Sequence, residues 1–438
     1  MQADKTTIND LSIFSNEEEL SILHLLNFTK SVGGREWLRI FLNRPLHNIQ
    51  SITETQQLLQ RIITVLPQWP QTISNGTIMV LERFYDTPIG QLPKNPNTAT
   101  SLLYKIFNAP DFSLTRYSVT HGVDFVKGMQ QFANLLQAEN NPAPLKAITE
   151  RISLLLAKTE VQQMINIPKG KRLSNIEILN FGYYLRLQFK QEAFELIEIY
   201  SKLDAYFSMA TACDQFHFSF PQFIESADPS LAAQQLYHPL LPTPVAYNIT
   251  LDPQQNFLFL TGANMAGKST FIKAIGVSVY LAHIGMGVPA QSMKLSLFDG
   301  LLSNIQVADN IVQGESYFFN EVQRIRKTIE KISDGKKWLI LIDELFKGTN
   351  VQDAMKCSTT VIEGLRKMHN ALFILSTHLY EIGEALKQYS NIQFRYFETE
   401  VKEDQLLFSY HLKEGISNDR LGYLILKREG VVDMLNKL

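Results

Sequence analysis

Apolar positions in the first half of the chain recur with a helical period. Leu20, Leu23 and Leu26 follow one another at three-residue steps behind Ser15-Asn16-Glu17-Glu18, which fits a helix-capping box. Leu, Ile, Gln and Glu dominate residues 15 to 225, and the proline-free stretch Glu177 to Ala212 predicts one long helix. Asp86 to Asn97 (DTPIGQLPKNPN) is turn-rich and predicts a loop. The first half is therefore expected to be all-α. The texture changes between Asp214 and Asn248, where Pro221, Pro229, Pro239, Pro242 and Pro244 mark a loop-rich connector. Beyond it, short β-type runs alternate with helical stretches, the pattern of a sheet flanked by helices. Phe257 to Leu260, Trp338 to Ile342 and Ala371 to Leu375 are the clearest predicted strands. The expected architecture is an all-α domain with connector over 1–230, then an α/β domain over 231–438.

Composition narrows this picture. The chain has 438 residues, 45% hydrophobic and 19% charged, which is ample for two or three domains with full cores. Its 41 basic and 43 acidic residues leave a formal net charge of −2, and neither half is a basic block. Nucleic-acid affinity comes largely from cations meeting phosphates, so any such binding must use a local patch. Cys213 and Cys357 are far apart and lack metal-ligand spacing, which predicts reduced thiols in a cytoplasmic protein and no zinc site. The opening MQADKTTIND has no signal-peptide pattern. The longest apolar stretch, Ala274 to Ala290, contains His283 and three glycines and is too short and broken to span a bilayer, so no membrane role is expected.

Candidate chemistry concentrates in the second half. Gly262-Ala263-Asn264-Met265-Ala266-Gly267-Lys268-Ser269, followed by Thr270, is a complete Walker A pattern between a predicted strand and a predicted helix. Its glycines let backbone N–H groups wrap phosphates, and the helix adds its positive N-terminal end. Lys268 would neutralise β- and γ-phosphates, and Ser269 would ligate Mg²⁺. Trp338-Leu339-Ile340-Leu341-Ile342-Asp343-Glu344 is an apolar strand ending in two carboxylates. Asp343 would hold the Mg²⁺ shell and Glu344 would polarise an attacking water. Either carboxylate by itself suits an ordinary strand end; the Walker A loop upstream is what turns the pair into a Walker B segment. His378 ends the next strand, ALFILS, in reach of a γ-phosphate if the order of motifs holds. Gly314 and Ser316 in DNIVQGES precede a helix starting near Tyr317 and make a second anion-binding corner or an ordinary cap. In ATPases of the ABC type such a corner caps the nucleotide of a partner subunit, which would imply a dimer. ATP and Mg²⁺ are thus the expected ligands.

These segments together carry a resemblance. TGANMAGKST, DNIVQGESYFFNEV, LILIDELFKGTN, STHLYEI and the tail SYHLKEGISNDRLGYLIL resemble the ATPase domain of the MutS mismatch-repair family. Tyr237-His238-Pro239-Leu240 and Asn248 resemble that domain's entry near the adenine pocket. LSILHLLNFTKSVGGREWLRIFLNRPL looks like the start of the family's helical lever domain, and LDAYFSMATACDQF like its last helix. The middle of the helical half, about 70 to 175, is the least similar. The resemblance implies a dimeric ATPase with composite sites, coupling ATP to DNA. Departures from the family pattern are Ala263, Ala266, Phe346, Lys347, Asn350, Asn304 and Gln306. They touch loop shape and inter-subunit contacts rather than the central Lys, Asp and Glu.

The lever pattern starts near residue 15, so a short form without the family's mismatch-reading domain is expected. The family's Phe-x-Glu wedge has no counterpart, because Phe223-Ile224-Glu225 and Phe319-Asn320-Glu321 fall in the connector and in an ATPase helix. The helical half is also expected to be too short for an inserted DNA clamp, and neither C-terminal dimerisation helices nor an Smr-type nuclease is expected. DNA structure rather than a mismatch is then the expected partner. The alternative is an ATP-gated module whose partner is another protein; a small-molecule kinase is disfavoured by the Asp-Glu pair and the signature corner. Lys169, Lys171 and Arg172 in PKGKRLS are the candidate DNA-contacting cations, or simply a solvated loop.

Overall fold

The computed structural model describes residues 1–15, 17–305, 317–402, 405–417 and 430–435. The chain divides into two compact units. One comprises Met1–Leu25, Arg44–Thr53 and Gln215–Leu438, the other Leu26–Asn43 and Glu54–Asp214.

The N-terminal segment carries β1 (Gln2–Ala3), α1 (Lys5–Asp10) and α2 (Ile22–Leu25). The helix expected behind Ser15 begins later, and Ser21 Oγ, not Ser15, accepts from the N–H three residues on, that of His24 (3.1 Å). Leu23 and Leu26 are buried and Leu20 is exposed, so a 3₁₀ turn at Glu18–Leu20 replaces the expected first helical turn.

The second unit is helical, with α3 (Val32–Leu42), α4 (Ile49–Val65, shared between units), α5 (Asn75–Asp86), α6 (Thr98–Phe107) and α7 (Ala109–Leu136), followed by α8 (Ala143–Leu156), α9 (Thr159–Ile165), α10 (Asn175–Gln188) and α11 (Lys190–Gln215). The loop expected over Asp86 to Asn97 joins α5 to α6. The expected single helix over Glu177 to Ala212 is two, broken at Phe189. Phe189 is fully buried and stacks on Tyr184 with ring centroids 5.5 Å apart, so side-chain packing overrides a locally favourable helix.

A buried carboxylate organises this unit. Asp204 on α11 accepts from Lys30 N (2.9 Å), Ser31 N (2.8 Å) and Ser31 Oγ (2.7 Å), just before α3. Ser31 Oγ in turn accepts from Gly34 N at 3.0 Å, capping α3. A Cβ at Gly34 would lie 2.1 Å from Asp204 Oδ2, so glycine is needed for close approach. Burial raises the Asp204 pKa, against those hydrogen bonds. Removing the carboxylate strands several buried donors, so Asp204→Ala should cost about 2–4 kcal/mol. A lowered urea midpoint for loss of helical signal is the measurement; an unchanged midpoint would show that Asp204 does not organise this unit.

The other unit contains two sheets. Where a loop-rich connector was expected from Asp214 to Asn248, the chain forms β2 (Gln222–Ile224), β3 (Leu231–Leu236) and the start of β4 (Tyr247–Leu251). These join β6 in a four-stranded sheet ordered β2-β6-β3-β4. The prolines flank short strands and do not exclude them. The remaining elements are β5 (Phe257–Thr261), α12 (Lys268–Ile284), β6 (Ser292–Ser296), β7 (Gly300–Asn304), α13 (Tyr317–Ile332), β8 (Trp338–Asp343), α14 (Val351–Leu365), β9 (Ala371–Ser376), α15 (Glu381–Leu386), β10 (Ile392–Lys402) and β11 (Gln405–Glu414).

The main sheet runs β1-β7-β8-β9-β5-β10-β11, parallel apart from the last pair. Strands buried on both faces in a parallel sheet read as unbroken apolar runs. FLFLT, WLILI and ALFILS do so, and all of their residues are buried. Phe257, Phe259, Trp338, Ile340, Ile342, Phe373 and Leu375 form one face of a core that includes Ile362 and Leu365 of α14. A Cβ at Gly276 would lie 2.7 Å from Leu341 Cδ1, so α12 approaches the sheet through that glycine. The apolar stretch from Ala274 is therefore a helix buried by its own unit, and no helix among the described residues is long and apolar enough to cross a membrane.

Candidate functional site

The turn between β5 and α12 carries Gly262 to Gly267. Gly262 (φ 140°), Met265 (φ 67°) and Gly267 (φ 105°) all take positive φ. The two glycines tolerate this freely, and Gly267 opens α12 in a left-handed conformation. Lys268, the first helical residue, is only 6% exposed. Its Nζ donates to Gly262 O (2.8 Å) and Ala263 O (2.9 Å) and lies 3.5 Å from His378 Nε2. Burial pulls its pKa down to about 8, against the attraction of Glu344 and Asp343.

Asp343 ends β8 opposite Ser376, which ends β9. Its carboxylate accepts from Ser376 Oγ and from Ser269 Oγ of α12. Two sheet strands and one helix thus converge on this acid. Glu344 follows with φ 62°, and its N–H donates to Ser376 O at 2.9 Å. That left-handed step turns its side chain to His378 Nε2 (2.5 Å) and Lys347 Nζ (2.8 Å). Burial pushes the Glu344 pKa up, but hydrogen bonds to His378 and Lys347 outweigh it and hold the value near about 2. The loop beyond is anchored by Glu321 of α13, 5% exposed, which accepts from Lys347 N and Gly348 N, both at 3.1 Å.

These groups share a cavity of 590 Å³. Of the residues singled out in the sequence, Asn264, Met265, Gly267, Lys268, Ser269, Thr270, Asp343, Glu344 and His378 line it. Gly262, Ala263 and Ala266 shape the turn behind that lining. Asn248 does not line the cavity; its Oδ1 accepts from Gln235 N at 2.8 Å. Residues alternate across β4, so its neighbour Tyr247 faces the cavity instead. Tyr410, Leu241, Val245 and Lys347 also line it and were not assigned from the sequence. Strand alternation would have found Tyr247, whereas no local signal marks Tyr410, whose ring lies against Gly267. Gly314 and Ser316 lie outside the described residues.

A helical part and an α/β sheet domain, the latter holding this cavity at the carboxyl ends of its central strands β8, β9 and β5, define the class of the molecule. Residues 258–434 match the model of MutS domain V, and over that segment the chain is MutS-like. It is similar to the DNA mismatch repair protein MutS of Leptospira interrogans, 33% identical over 298 residues, covering 65% of this chain and 33% of that protein. MutS of Oceanobacillus iheyensis is 30% identical over 253 residues (56% of this chain, 28% of that protein). MutS protein homolog 4 of Mus musculus is 30% identical over 262 residues (56% and 27%). The chain thus spans about a third of the length of these relatives.

Proposed function

We propose that this protein binds and hydrolyses ATP in the 590 Å³ cavity and couples the ATP cycle to DNA binding as a dimer. The observation that carries the reading is the convergence of Lys268, Ser269, Asp343, Glu344 and His378, from three elements, on one cavity. The Gly262–Thr270 turn would cradle phosphates with backbone N–H groups, and Lys268 would balance their charge. Ser269 Oγ and Asp343 are adjacent hard oxygen donors that suit Mg²⁺, an ion taking few protein ligands besides phosphate oxygens. Bound there, the ion would neutralise charge developing on the phosphates. Glu344, kept ionised, would orient the attacking water, and His378 would hold Glu344 and face the γ-phosphate. Tyr247 and Tyr410, which line the cavity, would pack against a nucleobase.

The composite-site part is tested by mixing variants. If Ser316 and Gly314 cap the nucleotide of a partner, Lys268→Ala and Ser316→Ala remove different halves of one site. Random pairing in a two-fold dimer restores one intact site per mixed dimer, or about a quarter of wild-type turnover. Steady-state ATPase measurement should show this recovery; none would sink the trans arrangement. Duplex DNA added to the wild-type protein should change that turnover. If it does not, the protein-partner reading replaces the DNA reading.

A further inference from the structure

The helical unit contains a second cavity, of 1000 Å³, unconnected with the ATP reading. Phe112, Arg116, Thr120, Val123, Lys127 and Gln131 line it from α7, spaced three or four apart and therefore on one helix face. Lys105 of α6 and the loop Ile167–Leu173 close it. That loop is a built turn. Gly170 takes φ 81°, Lys171 N donates to Pro168 O at 3.2 Å, and Lys127 Nζ donates to Ile167 O.

Six cations line this cavity (Lys105, Arg116, Lys127, Lys169, Lys171 and Arg172) against one carboxylate, Asp124. Lys171 is paired with Glu177 at 2.8 Å. Among the described residues, no carboxylate lies within ion-pair reach of Arg116, Lys169 or Arg172. Like charges held around one concavity repel each other, and a chain with a net charge of −2 has no general excess of cations to explain them. A multivalent anion inside would convert that repulsion into charge-assisted hydrogen bonds. The cations surround a hollow rather than form a ridge, which fits a compact ligand better than a rod-like duplex. We propose that this cavity binds a small ligand carrying two or more phosphate groups.

The test uses the full chain carrying Lys268→Ala, so that the other phosphate cavity is weakened, titrated calorimetrically with inorganic tripolyphosphate. One saturable site is expected, with affinity falling steeply as salt rises. Adding Arg116→Gln, Lys169→Gln and Arg172→Gln together should weaken it at least about tenfold, since three charged donors are lost. The three side chains are exposed, so circular dichroism should be unchanged, and Lys146→Gln, outside the cavity, should leave binding intact. The absence of saturable binding, or equal affinity in the triple variant, overturns the proposal. So does a short DNA duplex that binds these cations and is not displaced by tripolyphosphate, because the surface would then serve nucleic acid.

Discussion

Lys268→Ala should lose ATP binding by about tenfold to a hundredfold, because a charged donor to phosphate contributes roughly 1.5–3 kcal/mol. The same substitution should barely change the folding stability of the unbound protein. Burial already pulls the Lys268 pKa to about 8, so the ammonium sits in a place that opposes its charge. Removing it relieves that cost while losing hydrogen bonds to Gly262 O and Ala263 O, and the two effects oppose each other. Equilibrium binding of a fluorescent ATP analogue and thermal unfolding, measured on the same preparation, separate the two. Wild-type affinity in the variant would overturn the phosphate-loop assignment; lost affinity with a collapsed melting temperature would point to structure instead.

Glu344→Gln should keep ATP binding and slow turnover by about a hundredfold to ten-thousandfold, the range for removing a positioned general base. Glutamine preserves the shape between His378 and Lys347 but gives up the charge that both partners hold. The pH behaviour follows from the depressed pKa. With a folded value of about 2, below the ordinary glutamate range, Glu344 is ionised in the fold at any pH above that value. Its contribution to stability is therefore complete above the unfolded pKa and is lost only as pH falls towards the folded one. Any decline of turnover between pH 7 and 5 must come from another group. Single-turnover assays at saturating ATP are the check, and a variant that no longer binds ATP would give Glu344 a different role.

Some features were legible because their causes are local. FLFL, WLILI and ALFIL read as buried parallel strands because both faces of such strands need apolar side chains, and each appears within a residue of the expected limits. The Gly262 to Ser269 turn was legible because positive φ and close helix entry demand glycine at set intervals. Asp343 and Glu344 are sequence neighbours, so their placement at one strand end followed from that strand.

Other features depended on contacts between residues distant in the chain. Gln2 and Ala3 add an edge strand beside Gly300 and Leu301, which no local pattern in MQADK announces. The break at Phe189 comes from a side chain finding a buried place, not from a breaker residue. Tyr410 reaches the 590 Å³ cavity, and Arg116 joins Lys169 and Arg172 around the second one, only once the fold is assembled. The sequence by itself determined the strand core, the glycine turn from Gly262 to Ser269 and the acidic strand end, since each is specified by steric or burial demands within a few residues. Tertiary structure alone decided which way Glu344 turns, what neutralises it and which cations share a hollow, because electrostatic partners are set by distance in space, and distance along the chain does not report it.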